Sequence, residues 1–281
     1  MREPKQQLAD SSLGAPTSTE VLVERWRDGR IERVPDRVAE EVPVALTYHG
    51  ISHVVMLATP ADLEDLAAGF TLSEGIVAKP GEIRSLEATR HDDGNFEVRI
   101  GIAAERFANL LRRERNTSGR TGCGLCGAAT FEDALRTPER IVSNMTVSAT
   151  DLHEALIEIR KHQRINSETG SVHAAAWVVP GEGIRLVRED VGRHNALDKV
   201  IGALIRAGEE FSRGWFLITS RASYEMVQKT AIVGVPLLAA VSAPTAFAIR
   251  LADTTGLTLV GFAREHQHVV YTHPIRLKHH A

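Results

Sequence analysis

The 281-residue sequence predicts an α/β protein, α+β overall: a small N-terminal α+β domain followed by a three-layer α/β domain. Three observations carry this. In the first third, short alternating apolar runs are separated by Gly- and Asp-containing turns, as in antiparallel sheet. From about residue 149 onward, fully apolar runs alternate with segments of helical period, which implies a mainly parallel sheet covered on both faces. The composition is 43% apolar but only 5% aromatic, so small aliphatic side chains must fill a core that a chain of this length is large enough to bury.

Residues 1–20 mix charges with Ser, Thr, Pro and Gly and are expected to form a disordered tail. The N-terminal domain is placed at residues 21–115. Its strands are Val21–Trp26, Val42–Leu46 and Ser52–Ala58, the last preceded by a turn at Tyr48-His49-Gly50-Ile51. Asp62 stands at a helix N-cap position, and Leu63, Leu66, Ala67 and Phe70 follow at helical spacing until Gly75. Strands Ile83–Thr89 and Phe96–Ile102 flank the polar turn from His91 to Asn95, and a helix from Ala103 to Arg115 closes the unit. Residues 116–148 read as a flexible linker. The C-terminal domain, residues 149–281, opens with a helix near Thr150 or Asp151 that presents Leu152, Leu156 and Ile159. Strands follow at His173–Val179, Ile184–Arg188, Trp215–Thr219, Pro236–Val241 and Leu257–Ala263, with helices at Asn195–Ala207, Tyr224–Val233 and Thr245–Thr255.

Charge and apolar patterning exclude several classes of function. Lys plus Arg number 33 against 36 Asp plus Glu, a formal net charge of −3, so no overall cationic field suggests nucleic-acid or anionic-membrane binding. Apolar stretches such as Val233–Val241 fall short of the roughly 18–20 residues that a membrane span needs. The first twenty residues contain no apolar signal core, and the expectation is a cytoplasmic protein. Cys123 and Cys126 are the only cysteines, too few for a secreted disulfide scaffold.

In parallel α/β sheets ligands sit beyond the carboxyl ends of the strands. That rule selects three loops: Ser220-Arg221-Ala222-Ser223, Ser242-Ala243-Pro244-Thr245 and Arg264-Glu265-His266-Gln267. Each offers hydroxyls, an arginine or free amides, and the first two open helices whose N-termini attract phosphate, so a phosphorylated ligand is expected. The competing interpretation is ordinary capping with solvated arginines. No Gly-x-Gly-x-x-Gly or Walker loop is present, because Gly181-Glu182-Gly183 is only a hairpin turn.

Four readings compete for Cys123-Gly124-Leu125-Cys126. A structural zinc needs about four ligands; there is no second thiol pair, although twelve histidines could contribute. A nucleobase deaminase carries His-x-Glu before Pro-Cys-x-x-Cys, whereas here His173-Ala174-Ala175 lacks the glutamate and follows the cysteines. A thioredoxin-like dithiol opens a helix, which Gly122, Gly124 and Gly127 weaken. Sulfur transfer needs a nucleophilic thiolate on a mobile loop. The glycines supply mobility, and Arg106, Arg112, Arg113, Arg115 and Arg120 make the upstream segment cationic. A thiol moved from a pKa of about 8.5 to about 7.5 raises its thiolate fraction at pH 7 from roughly 3% to roughly 25%.

Two segments carry a resemblance: Thr121-Gly122-Cys123-Gly124-Leu125-Cys126-Gly127 and the run from Arg188 to Lys199, which contains Asp190, Arg193, His194 and Asn195. With Leu72–Ile76, Thr169–Ala175, Thr219-Ser220-Arg221, Val241–Thr245 and Gly261–Arg264, they closely resemble the formate dehydrogenase accessory sulfurtransferase (FdhD) family from about residue 40 to about residue 275. The resemblance implies a cytoplasmic, homodimeric sulfur carrier. A cysteine desulfurase would load Cys123 with a persulfide, with Cys126 as helper. The sulfur would pass to a bound Mo-bis(molybdopterin guanine dinucleotide) destined for formate dehydrogenase, and no permanent metal is expected. It further implies that Phe262, Ala263, Arg264, Glu265, His266 and Gln267 form a cofactor-binding stretch, and that the C-terminal domain has a cytidine deaminase-like fold. Ser220, Arg221, Thr245 and Arg264 become candidate phosphate contacts, and Asp190, Arg193, His194 and Asn195 either line the same pocket or form a buried network that fixes their turn.

Overall fold

The computed structural model describes residues 13–114 and 138–279. The chain starts with an antiparallel ribbon of β1 (Ser18–Arg27) and β2 (Arg30–Ala39). Its tip, Asp28-Gly29, has φ values of 50° and 81°, the left-handed pair of a tight I′-type hairpin. β2 was not expected: both faces of the ribbon are largely exposed, so Ile31 and Val34 need no apolar alternation around them. β1 also takes in Ser18, Thr19 and Glu20, which the sequence assigned to the tail.

A four-stranded sheet follows in the order β4-β3-β6-β5, from β3 (Val42–Tyr48), β4 (Ile51–Ala58), β5 (Ile83–Arg90) and β6 (Phe96–Ile102). Between β4 and β5 lies helix α1 (Leu63–Ser73), and α2 (Ala104–Glu114) follows β6. Asp62 occupies the α1 N-cap position in a left-handed conformation, but its side chain does not cap the helix. Its carboxylate lies 3.4 Å from the Arg188 guanidinium instead.

In the second half, β7 (Val147–Ser148) pairs with the late strand β14 (Leu277–Lys278). Ser148 then caps α3 (Ala149–His162) by accepting a hydrogen bond from the Asp151 amide, 2.9 Å long. A short helix α4 (Arg164–Thr169), not anticipated, precedes β8 (His173–Val179) and β9 (Gly183–Asp190). The chain continues through α5 (Arg193–Ala207), β10 (Trp215–Ile218), α6 (Tyr224–Ile232), β11 (Leu237–Ala240), α7 (Ala246–Thr255), β12 (Thr258–Arg264) and β13 (Gln267–Val270).

The six-stranded sheet has the order β13-β12-β11-β10-β8-β9 and is mixed rather than mainly parallel. Only β10–β11 and β11–β12 are parallel; β8–β9, β8–β10 and β12–β13 are antiparallel. The short turns closing the β8–β9 and β12–β13 hairpins cannot support a parallel crossover.

Side chains alternate strictly across this sheet. Ala175, Trp177, Phe216, Ile218, Leu238 and Ala240 face the cluster containing α5, α6 and α7, whereas Ala174, Ala176, Val178, Trp215, Leu217 and Leu237 face α3. Helix α1 packs across α5, and its Leu66 and Ala67 join the cluster of Leu197, Val200 and Ile201. The crossing is close because both helices present glycine. A Cβ on Gly69 would overlap the Asp198 carbonyl oxygen, and one on Gly202 would overlap that of Asp65.

Candidate functional site

The topology brings the selected loops to one edge of the large sheet. Parallel strands β10, β11 and β12 end there, β8 starts there, and β9 ends beside it with His173 opposite Asp190. Backbone bonds lock the loops together: Val241 N–H donates to Ile218 O at 3.0 Å, Thr245 N–H to Ala222 O at 3.2 Å, and Phe262 N–H to Ser242 O at 3.1 Å.

Asp190 and Asn195 are held in a buried polar knot. Asp190 is fully buried; its Oδ2 lies 2.6 Å from the Lys199 ammonium, itself fully buried, and accepts the Thr59 amide at 3.0 Å. Its Oδ1 accepts the Gly192 amide at 2.8 Å and the Asn195 side-chain amide at 2.9 Å. Asn195 also donates to Leu57 O, and Lys199 to Thr59 O. These contacts tie the β9–α5 turn to the end of β4. With its oxygens so occupied, Asp190 shapes the turn and offers little to a ligand.

Arg193 and His194, presented by that turn, are different. Arg193 Nε and His194 Nε2 are buried atoms without a hydrogen-bond partner. His194 Nε2 faces Glu225 Oε2 at 3.5 Å, within ion-pair range but long for a hydrogen bond. Glu225 also accepts the Ser223 hydroxyl at 2.8 Å, and its carboxyl is pulled down to about 2, chiefly by His194 and then by Ser223, against burial. His173 stands next to this group. Burial, followed by the nearby Arg193 and His194, pushes its imidazole below the usual histidine range.

The other predicted residues sit on the same edge in separate settings. Ser220 is buried, its hydroxyl donating to Arg221 O at 3.1 Å, while Arg221 is exposed. Thr245 caps α7 by accepting from Ala248 N at 3.3 Å. Residues 262–267 lie in the β12–β13 hairpin, so the third selected loop is a hairpin turn. Phe262, with φ +49°, marks an irregularity in the pairing, Glu265 and His266 make the turn, and Arg264 pairs with Gln267. Phe262, Arg264, His266 and Gln267 are exposed, Ala263 is buried, and Glu265 bonds Arg160 of α3 at 2.9 Å. A pocket of about 300 Å³ lies between this hairpin and α3, with His173, Thr219, Ala263, Arg264 and Gln163 in its wall.

Ser223 lay in the selected loop from Ser220, whereas Glu225, Thr59 and Arg160 were not singled out from the sequence. Each acts from an element distant in the chain, and none lies in a recognisable motif. Lys199 did lie in the quoted run from Arg188. Cys123 and Cys126 fall outside the described residues, as do Arg115 and Arg120 of the cationic segment preceding them. Among the described residues, no group of three or more His, Cys, Asp or Glu side chains could hold a metal ion, and no helix is long and apolar enough to cross a membrane.

A sheet edge that combines two helix N-termini, exposed arginines and the Arg193 guanidinium is suited to an anionic ligand. It belongs to a mixed α/β domain. The chain belongs to the FdhD/NarQ family, whose model matches residues 39–278. It is 52% identical over 266 residues to the sulfur carrier protein FdhD of Cupriavidus necator, covering 95% of this chain and 92% of that protein. It is 51% identical over 262 residues to the sulfur carrier protein FdhD of Xanthomonas campestris pv. campestris, covering 93% of each. A solved formate dehydrogenase accessory protein from Desulfotalea psychrophila shares the fold, with a TM-score of 0.73 at 23% identity over 93% of this chain and all of that one.

Proposed function

We propose that this protein is a cytoplasmic, homodimeric sulfur carrier required for formate dehydrogenase activity and that it acts as a sulfurtransferase. Its relatives named sulfur carrier protein FdhD support the carrier role. The observation that carries the reading of the acceptor site is the convergence of Arg193, His194, Ser220, Arg221, Thr245 and Arg264 on one sheet edge. In this reading the Cys123 thiolate attacks the terminal sulfur of a persulfide on a cysteine desulfurase. The donor cysteine leaves as a thiolate, and Cys123 becomes the persulfide with no net oxidation. Cys126 assists. The sulfur is destined for Mo-bis(molybdopterin guanine dinucleotide), bound as substrate with its phosphates towards the edge. Arg221, Arg264 and the amides opening α6 and α7 would hold the phosphates, and the segment from Phe262 to Gln267 would border the nucleotide.

Incubation with a cysteine desulfurase and cysteine is expected to add mass in steps of about 32 Da, one sulfur atom each, to the wild type but not to Cys123→Ala. A Cys123→Ala protein that gains sulfur as readily as the wild type would refute the carrier assignment. Co-expression with a formate dehydrogenase should give an active enzyme only with the wild-type carrier.

A further inference from the structure

Where the β12–β13 hairpin meets α3, three imidazoles are bonded in a chain that joins three elements. His153 Nε2 of α3 meets His268 Nδ1 of β13 at 3.1 Å, and His268 Nε2 meets Nε2 of His279, immediately beyond β14, at 3.0 Å. The His268 and His279 rings stack, with centroids 5.1 Å apart and planes 16° from parallel. Because His268 turns a different nitrogen to each neighbour, the rings form a line of hydrogen bonds and not a set converging on a metal ion. Burial, then His266 and His279, holds His153 below the usual histidine range; burial, then His153 and His279, does the same for His268. His266 and Glu265 lie in the hairpin turn, and Glu265 is taken by Arg160 of α3 at 2.9 Å. Arg264 beside that turn and Lys278 beside His279 are further cations. Asp151, Glu154 and Glu158 of α3 line a separate pocket against the β8–β9 turn.

A neutral imidazole has one N–H and one lone pair, so the chain is complete when uncharged, with both bonds running in one direction. It also accommodates one proton, because an imidazolium at His268 donates to both neighbours. A second proton sets two N–H groups face to face in one of the contacts and adds repulsion between like charges. We propose that His153, His268 and His279 form a proton-operated clasp that holds the β12–β13 hairpin against α3 and the β14 segment, and that opens when the chain takes up a second proton. Opening frees the hairpin that carries residues 262–267 and walls the pocket of about 300 Å³ beside α3. The closed form binds fewer protons than the open one. The clasp is therefore closed above the ordinary imidazole value of about 6.5 and loosens as pH falls below it. Its action requires no ligand at the sheet edge.

Amide hydrogen exchange of the full-length protein, read by mass spectrometry at about pH 7.5 and about pH 5, tests the clasp on either side of an ordinary imidazole. Each rate is divided by the intrinsic rate of an unstructured chain at the same pH. Wild-type amides of the β12–β13 hairpin should lose roughly tenfold in protection at the lower pH, while those of the central strands β10 and β11 stay unchanged. Glutamine still donates and accepts hydrogen bonds but takes up no proton. In His268→Gln the hairpin should therefore be equally protected at both pH values, and His153→Gln and His279→Gln should each flatten the response. His91→Gln, which removes an exposed contact to Glu97 in the other sheet, should keep the wild-type response. A wild-type hairpin equally protected at both pH values overturns the clasp, and so does a folded His268→Gln protein that keeps the full response. If thermal melts show His268→Gln to be unfolded, His153→Gln and His279→Gln decide by the same criterion.

Discussion

Lys199 and Asp190 sit together with no exposure, and their stabilisation depends on complete pairing. Lys199→Met would leave Asp190 as a buried carboxylate without its cation, so a loss of about 3–5 kcal/mol is expected in urea unfolding. Replacing both residues with apolar side chains should cost less than that single change. Glu225 behaves differently because it is partly exposed. Its folded carboxyl sits near 2 against an ordinary 4.5, so its contribution is complete above about pH 4.5 and disappears as pH falls towards 2. The slope of melting temperature against pH in that interval should be shallower in Glu225→Gln than in the wild type. Arg193 and His194 were readable from the run that begins at Arg188, because such a density of polar side chains at a strand-to-helix turn is unusual. Thr59, which donates to Asp190, and Glu225, which faces His194, were not, since each is contributed by a segment remote in sequence.

The α1–α5 crossing decides how closely the two halves approach. Gly69→Ala or Gly202→Ala should push the helices apart and cost about 3 kcal/mol, the upper end for overpacking, because the obstacle on each side is backbone carbonyl rather than a movable side chain. Gly81→Ala meets no atom within 4 Å and should change stability by no more than about 0.5 kcal/mol, which makes it the control. Beneath the crossing, Lys229 bonds Asp198 at 2.9 Å and Ser73 at 2.9 Å, again joining α6, α5 and α1. Burial alone would lower the Lys229 pKa, but Asp198 and Glu74 outweigh it and hold the ammonium above the usual lysine range. Helices α1, α5, α6 and α7 were legible because each keeps an apolar face at helical spacing. β2 and α4 were not: β2 is nearly all exposed, and α4 is only six residues long with Ile165 as its one buried side chain.

One apolar cluster runs from Val44, Leu46 and Val98 of the four-stranded sheet through α1 to Phe216 and Leu238 of the six-stranded sheet. Thermal unfolding followed by far-UV and near-UV circular dichroism should therefore show a single coincident transition, whereas two separated transitions would mean that the halves are stabilised independently. Strands β8 to β12 and helices α3, α5, α6 and α7 of the layered half, the three loops bordering the sheet edge and the family resemblance were legible in the amino-acid sequence. Local periodicity and short motifs are written in consecutive residues. The mixed direction of the sheet, the capture of Asp190 by Lys199 and Thr59, and the placement of Glu225 against His194 were decided only by the tertiary structure. Each depends on chain segments that meet across 9 to 131 positions of sequence, a distance over which no local pattern reports which side chains will face one another.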